Sequence, residues 1–581
     1  MRFFNKCVYT KALGRFIKNA AMLSLLFLAL SGFGQAVSEQ LLVQTDRPAY
    51  ISGETVWLSL TNMRLEQTAV STFSKVAYVD MQDGNGQSIA QAKIHLEEGR
   101  GLGNLELAAA LRTGLYTIRA HTQSMLNFEN PAFYEQEVFV LNPQEPLILP
   151  AIDQVSDFQI KQTRRPVSNQ EAITIEINSN TSSLAQRTLC TLNITAKDQA
   201  GNPIAADLAL SVARKAPEPN SLLKKADNYP SIATELAEVQ IPTENRGMRL
   251  SGKVLNEQTQ QGEPNVEVFI AFPGKRSITY TAITNSQGQF STILPKLYGL
   301  KQVVIQITEK EGPPLKVSID DHFLSASEKK NTPIKLSANW LSYLEELMIN
   351  TQVGQAYEAF QSPARFQVEM PYDGISFFGR PEKQYLLDDY TRFPIPEFFF
   401  EIVPEVRVRG KFGEERISIV SELGNNNIGV PPLMLVDGVP VFDQDAFLKI
   451  NNKLIESVEI ITDPIWLNPS FFNGMIQLSS FEGDARSFDL PATALRQSFL
   501  TYLPEKQFDA PSYEQDAKTS TLPDFRNTLY WNPQITTDKN GQATIQFYTS
   551  DALGSYEAKV FGVSPNGQLG EASIVIEVEK K

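Results

Sequence analysis

Along most of this chain apolar and polar residues alternate singly, and the alternating runs are cut by turns centred on glycine. Ala543, Ile545 and Phe547 after Gly541 form one such run, and Val56 and Leu58 set between Thr55 and Ser59 form another. A period of two sends successive side chains to opposite faces of a strand, so these segments read as half-buried β-strands. Long helical periodicity is nearly absent. The exception runs from Trp340 to Tyr357, where Leu341, Leu344, Leu347 and Met348 fall at helical spacing and predict one short amphipathic helix packed on a neighbouring sheet. The chain is therefore expected to be mainly β.

One local pattern recurs five times: Asp83 to Gln87, Asp198 to Asn202, Asn285 to Gln289, Asp538 to Gln542 and Ser564 to Gln568. In each, a capping side chain opens the turn and a glycine follows within it. A short hairpin loop needs a residue at positive φ, which glycine supplies, and Asp or Asn closes the turn through its side chain. A calcium site at Asp538-Lys539-Asn540-Gly541 would need further acidic ligands of a 12-residue loop, and they are missing. The pattern reads as a structural hairpin.

A compact strand, turn, helix and strand pattern lies late in the chain. Val436-Asp437-Gly438-Val439 predicts a tight hairpin, Asp443 or Asp445 can cap a helix through Phe447, Leu448 and Ile450, and Val458 to Ile461 returns as a buried strand before Met475 to Leu478. Upstream, Phe398-Phe399-Phe400 reads as a strand buried on both faces, with an exposed contact patch as the other reading. Asp437, Gly438, Val439 and Pro440, together with Phe398, Phe399 and Phe400, are the candidate partner-binding residues.

The first 36 residues carry five basic residues and no acid, then an apolar run from Ala20 to Leu30, then Gly34-Gln35-Ala36. This is the make-up of a secretory signal peptide cleaved after Ala36. The run is shorter than the roughly 20 residues that span a bilayer, and no later segment reaches that length. Cleavage would remove five of 52 cations and none of 66 anions, leaving a formal charge of −19. So acidic a chain offers no basic footprint for nucleic acid. Only Cys190 would survive maturation, so an exported chain would hold together by packing without an internal disulfide. Its length calls for several independent cores.

The chemistry-bearing residues are sparse. Cys190 sits in an apolar strand, Leu189-Cys190-Thr191-Leu192-Asn193, and reads as a small buried hydrophobe. His95, His121 and His322 are scattered, without zinc-helix spacing or cysteine partners. There is no Gly-x-Ser-x-Gly elbow, no phosphate-cradling loop and no dinucleotide fingerprint. Acidic pairs such as Asp388-Asp389 and Glu414-Glu415 read as solvated surface. No catalytic residue, no metal and no cofactor are expected.

Several segments carry family resemblances. Thr45-Asp46-Arg47-Pro48-Ala49-Tyr50-Ile51-Ser52-Gly53-Glu54-Thr55-Val56-Trp57 and Gly114 to Ala120 resemble the second macroglobulin domain of the alpha-2-macroglobulin family, a fibronectin-like β-sandwich. Leu250 to Val254, Pro264 to Val268 and Gly288 to Phe290 resemble a carboxypeptidase regulatory-like sandwich. Pro431 to Val441 with Leu454 to Ile461 resembles the plug of a TonB-dependent outer-membrane receptor, yet only 97 residues follow Asp484. A plugged transporter barrel has about 22 strands of about 10 residues, so no barrel of its own fits. Pro523 to Pro533 with Phe547 to Asp551 resembles a macroglobulin-type sandwich at the end of exported Bacteroidetes proteins that combine these modules in this order. The thioester of that family cannot form at Cys190, which lacks the following Glu-Gln.

The resulting expectation is a string of Ig- or fibronectin-like β-sandwich domains with one small α+β plug-like domain. Residues 1–36 would be the signal peptide, 37–145 the macroglobulin-like sandwich, and 146–245 a second such sandwich plus a polar linker from Pro217 to Asn245. Residues 246–318 would be the regulatory-like sandwich, 319–404 a connecting segment with the short helix, 405–485 the plug-like domain, and 486–581 a C-terminal sandwich. Functionally the chain is expected to be a non-enzymatic scaffold of the bacterial cell envelope, in the periplasm, on the periplasmic face of the outer membrane or at the cell surface. Its partners would be envelope proteins, including an outer-membrane barrel or secretion component, with no nucleic acid and no transmembrane span after cleavage. Two rival readings are a thioester-independent protease trap with its bait in the polar linker, and an accessory of TonB-dependent uptake acting with a separate barrel.

Overall fold

The computed structural model describes residues 37–580 apart from 66–68, 130, 132, 146–160, 162–164, 168–171, 182, 218–221, 226–235, 239–240, 309–311, 327–335, 359–377, 411–415, 421–429, 468 and 514–521. The signal peptide expected over residues 1–36 and much of the polar linker lie outside these. The architecture is mainly β, consistent with a string of Ig-like sandwiches, with one α/β unit among them.

The N-terminal sandwich packs the sheet of Glu39–Thr45, Thr55–Arg64 and Arg100–Glu106 on a five-stranded sheet. The second sheet runs Ala49–Ile51, Tyr134–Leu141, Gly114–His121, Val76–Gln82 and Ser88–His95 in that order. Val56, Leu58 and Leu60 alternate into the core between them, as a period of two requires.

The next sandwich differs from expectation. Thr174–Ser179 and Leu189–Lys197 pair with Gln542–Tyr548, and Asp207–Arg214 lies between Thr528–Thr536 and Gly554–Val563. Residues 172–214 and 528–579 therefore share one core, built from Cys190, Leu192, Ile194, Leu210, Tyr556 and Val560 among others. The two separate sandwiches expected for 146–245 and 486–581 are a single composite unit. The first half alone would leave one edge of Leu189–Lys197 and both edges of Asp207–Arg214 unpaired, and joining the halves pairs them.

The middle sandwich pairs Arg249–Asn256 with Gln289–Ile293 and Leu315–Ile319, opposite Glu267–Phe272, Ile278–Ile283 and Leu300–Ile307. Leu495–Leu500, expected in the C-terminal unit, extends that second sheet along Leu300–Ile307.

The fourth unit is α/β. Its mixed sheet runs Lys383–Leu386, Ile455–Ile461, Met475–Ser480, Leu433–Val436 and Val439–Pro440, with one parallel pair between Leu433–Val436 and Met475–Ser480. Its first strand begins at Lys383, and its core includes Leu387, Ile395, Phe398 and Phe399, so the unit starts well before the expected residue 405. Phe398-Phe399-Phe400 is helical, not a strand: Ile395–Glu401 is an α-helix with Pro in its first turn and Glu397 beside its N-terminus. Proline is pre-set for that position. The helical repeat buries Phe398 and Phe399 and turns Phe400 outward, 84% exposed.

The helix at Ala338–Glu358 lies against the N-terminal sandwich, where Trp340, Leu344 and Leu347 pack on Ala49, Ile51, Phe139 and Leu141. Among the described residues no helix is long and apolar enough to cross a membrane. The recurring turns close as read: Asp538 Oδ1 accepts from the backbone N–H groups of Asn540 and Gln542, both at 2.8 Å, and Gly541 takes φ 68°. Its carboxylate is thereby engaged with its own loop. The same side-chain closure recurs at Asp83, Asp198, Asn285 and Ser564.

Candidate functional site

The polar side chains that the sequence motifs supply gather at three junctions between units. The first uses the Thr45 to Trp57 segment. Asp46 is fully buried and its Oδ1 accepts from the Tyr50 hydroxyl at 2.8 Å and the Trp57 N–H at 3.1 Å, while Oδ2 accepts from Thr528 Oγ1 at 2.7 Å. Burial pushes the Asp46 carboxyl up, against the opposing pull of Arg47. Arg47 pairs with Glu54 at 2.8 Å and stacks over Tyr50. Glu54 Oε1 in turn accepts from Thr351 Oγ1 at 2.8 Å and Asn527 Nδ2 at 3.1 Å. One short motif thus ties the N-terminal sandwich to the helix and to the composite sandwich. An ion pair between Arg214 and Glu346 closes the same junction from the other side.

The second junction joins the N-terminal and middle sandwiches. Tyr78, on Val76–Gln82, places its hydroxyl 2.9 Å from both oxygens of Glu244 and 3.2 Å from His322 Nδ1. His322 Nε2 lies 3.0 Å from Ser251 Oγ, which donates to Asp320 Oδ2 at 2.7 Å. His121 stacks on Tyr78 and donates Nε2–H to the His322 carbonyl at 3.1 Å. Its Nδ1 is buried without a hydrogen-bond partner among the described residues. Beside them Arg119 grips Asp80 with two bonds, at 2.8 and 3.2 Å, and donates to the carbonyls of Leu324 and Ser325.

Burial sets the protonation here. Glu244 is raised to about 7, chiefly by desolvation, with the Arg249 N–H, the Tyr78 hydroxyl and the Lys93 ammonium opposing. Desolvation holds Lys93 down in the same network, against the charge of Glu244 and Asp321. His121 is depressed to about 3 and His322 to about 4, again mainly by burial, so both imidazoles are neutral near pH 7. Tyr78 donates its hydroxyl proton to the Glu244 carboxyl, and Ser251 donates to Asp320. Ser251 donates to Asp320 and is buried, so the Ser251–His322 pair does not present a free nucleophile; Tyr78 and His121 are the residues that tie His322 to the N-terminal sandwich.

The third junction holds the hairpin singled out for docking. Asp437 and Gly438 take φ 48° and 83°, the primed turn expected. The hairpin faces inward. Asp437 is buried and accepts from the Ser480 N–H, Ser480 Oγ and the Ala485 N–H. Thr279 Oγ1 donates to the Gly438 carbonyl at 2.6 Å and Gln306 Nε2 to the Pro440 carbonyl at 2.7 Å. Val439 packs with Ala271 and Val304 of the middle sandwich. Asp437, Gly438, Val439 and Pro440 are therefore an internal contact, which corrects their assignment as an outside docking surface. Of the phenylalanine triplet only Phe400 is exposed, and Trp466, which the sequence did not single out, is 73% exposed over Phe471.

Cys190 lies in the composite core, and burial raises its thiol pKa. His121 and His322, 201 residues apart, meet at the second junction, which their spacing did not foretell. Among the described residues no three His, Cys, Asp or Glu side chains form a metal-binding group.

These features define a chain of β-sandwiches and one α/β unit whose polar motifs clamp the units to one another. No family model matches the chain. No curated protein matches it. Among solved structures it is similar to native Escherichia coli alpha-2-macroglobulin, with a TM-score of 0.24 and 9% identity over 94% of this chain and 40% of that one. It is also similar to Salmonella alpha-2-macroglobulin reacted with methylamine, at 0.23 and 10% over 95% and 40%. Dimeric latent PorU from Porphyromonas gingivalis aligns at 0.16 and 9% over 49% and 34%. The chain spans about two fifths of the length of the two macroglobulins.

Proposed function

We propose that this chain is a non-catalytic, exported scaffold of the bacterial envelope that works by holding a partner protein. The observation that carries the reading is the fate of its polar motifs: Asp46, Arg47, Glu54, Tyr78, Glu244 and Asp437 all engage other parts of the same chain. Side chains so engaged stiffen a frame and are not free to turn over a substrate. The plug-like unit, its docking hairpin closed off, offers Phe400 and Trp466 to solvent, and large exposed aromatics are the usual anchors of a protein interface. Photo-crosslinking residues placed at positions 400 and 466 in cells should give discrete adducts with envelope proteins. Adducts no stronger than those from exposed Lys539 would refute the reading.

The protease-trap reading retains one specific support. The segment expected as bait, Pro217 to Asn245, carries Glu244 near its end, the carboxyl buried in the second junction, and its described part is fastened to the N-terminal sandwich through Asn127, which bonds Ala237 and Ile241. A cut in that segment would loosen the delivery of Glu244. Limited proteolysis followed by scattering decides it: a cut chain of unchanged shape with the protease still active removes the trap.

A further inference from the structure

A cavity of about 390 Å³ opens beside the second junction, where the N-terminal and middle sandwiches meet. Such junctions, and volumes of this size, suit small molecules. Three cations reach it from separate segments: Lys75 just before Val76–Gln82, Arg246 between Glu244 and Arg249–Asn256, and Lys296 after Gln289–Ile293. In a chain of formal charge −14 their convergence is notable, because none of the three forms an ion pair among the described residues. Glu97 and Glu98 stand exposed at the rim and leave the wall with a net positive charge. Apolar residues also line the cavity. Leu96 and Leu294 are buried, and Tyr502 sets its ring edge-on to His95 at 5.1 Å, its hydroxyl engaged with the Met248 backbone.

We propose that this cavity binds a small organic carboxylate with a flat apolar body. Lys75, Arg246 and Lys296 would hold the carboxylate, and the half-buried Pro295 with the aliphatic stems of the lysines would lie against the body, over a floor closed by Leu96, Leu294 and Tyr502. The pairing follows from desolvation: a bare anion gains nothing from the apolar wall, and a neutral ring gains nothing from the cations. This inference is independent of the scaffold reading and stands or falls separately from it.

His95 is the built-in reporter. Burial, then Lys296 and Lys75, hold its imidazole below the ordinary range, while Glu97 pulls the other way; Arg246, Glu98 and Tyr502 complete the wall around it. A carboxylate within about 4–6 Å raises a neighbouring imidazole by at least about 1 pH unit. The full chain with isotopically labelled histidine has only three imidazole signals, and His121 and His322 serve as buried controls. The titration is run in sodium benzoate, sodium sulfate and sodium chloride at matched ionic strength. Benzoate should raise the His95 midpoint by about 1 pH unit, more than sulfate does, and leave the two controls in place. The double substitution Arg246→Gln with Lys296→Gln, both at exposed side chains, should weaken benzoate at least ~10-fold. Benzoate acting no more strongly than chloride, sulfate matching benzoate, or the double variant binding benzoate unchanged would each overturn the proposal.

Discussion

Two residues show how local rules and distant packing divide the outcome. At Asp437-Gly438 the turn type was legible, because both residues must take positive φ and this pair does so at low cost. What the turn touches was not legible: a Cβ on Gly438 would lie 2.1 Å from Ser277 Cβ, in another unit. Gly438→Ala should cost about 1–3 kcal/mol in urea unfolding and speed amide exchange around Thr279. At His322 the sequence carried no signal, since its partners lie 71 and 244 positions away. Its imidazole titrates near 6.5 when unfolded and about 4 in place, so its contribution is complete above pH 6.5 and is lost as pH falls toward 4. Glu244 acts in the opposite sense, its contribution complete below 4.5 and lost as pH rises through about 7. Comparing wild type with His322→Gln isolates the first effect: the stability gap between them should narrow steadily from pH 6.5 to pH 4. A gap that widens on acidification would reverse the assignment.

Strands, turns and the presence of the helix at Ala338–Glu358 were readable because their causes are local. Alternation names the buried face of Leu189–Lys197, and helical spacing named Leu344 and Leu347 as the contacts of Ala338–Glu358. The Phe398 triplet misled for a related reason. Three adjacent aromatics look like a doubly buried strand until Pro394, Pro396 and Glu397 are weighed as a helix start. Strand partners are another matter, because an alternating run reads alike whichever strand lies beside it. Hence Leu189 pairs with Tyr548 across more than half of the chain, and Leu300 with Leu500, where adjacency in sequence suggested neighbours close at hand. A chain truncated after Leu522 should therefore lose amide protection over Leu189–Lys197 while keeping it over Glu39–Thr45. Retained protection over Leu189–Lys197 would mean the first half folds alone.

For the whole molecule, the account turns on rigidity. A string of sandwiches joined by loose linkers would sample many arrangements, whereas buried polar junctions such as Asp46 with Thr528 and Tyr78 with Glu244 allow one. The most direct measurement is the spin-label distance distribution between exposed sites on different units, Asn85 with Lys539 and Asn85 with Gln287. Wild type should give one narrow distance for each pair, and Asp46→Ala should broaden the first pair while leaving the second sharp. Broad distributions in the unaltered chain would contradict the clamped frame on which the scaffold reading is built.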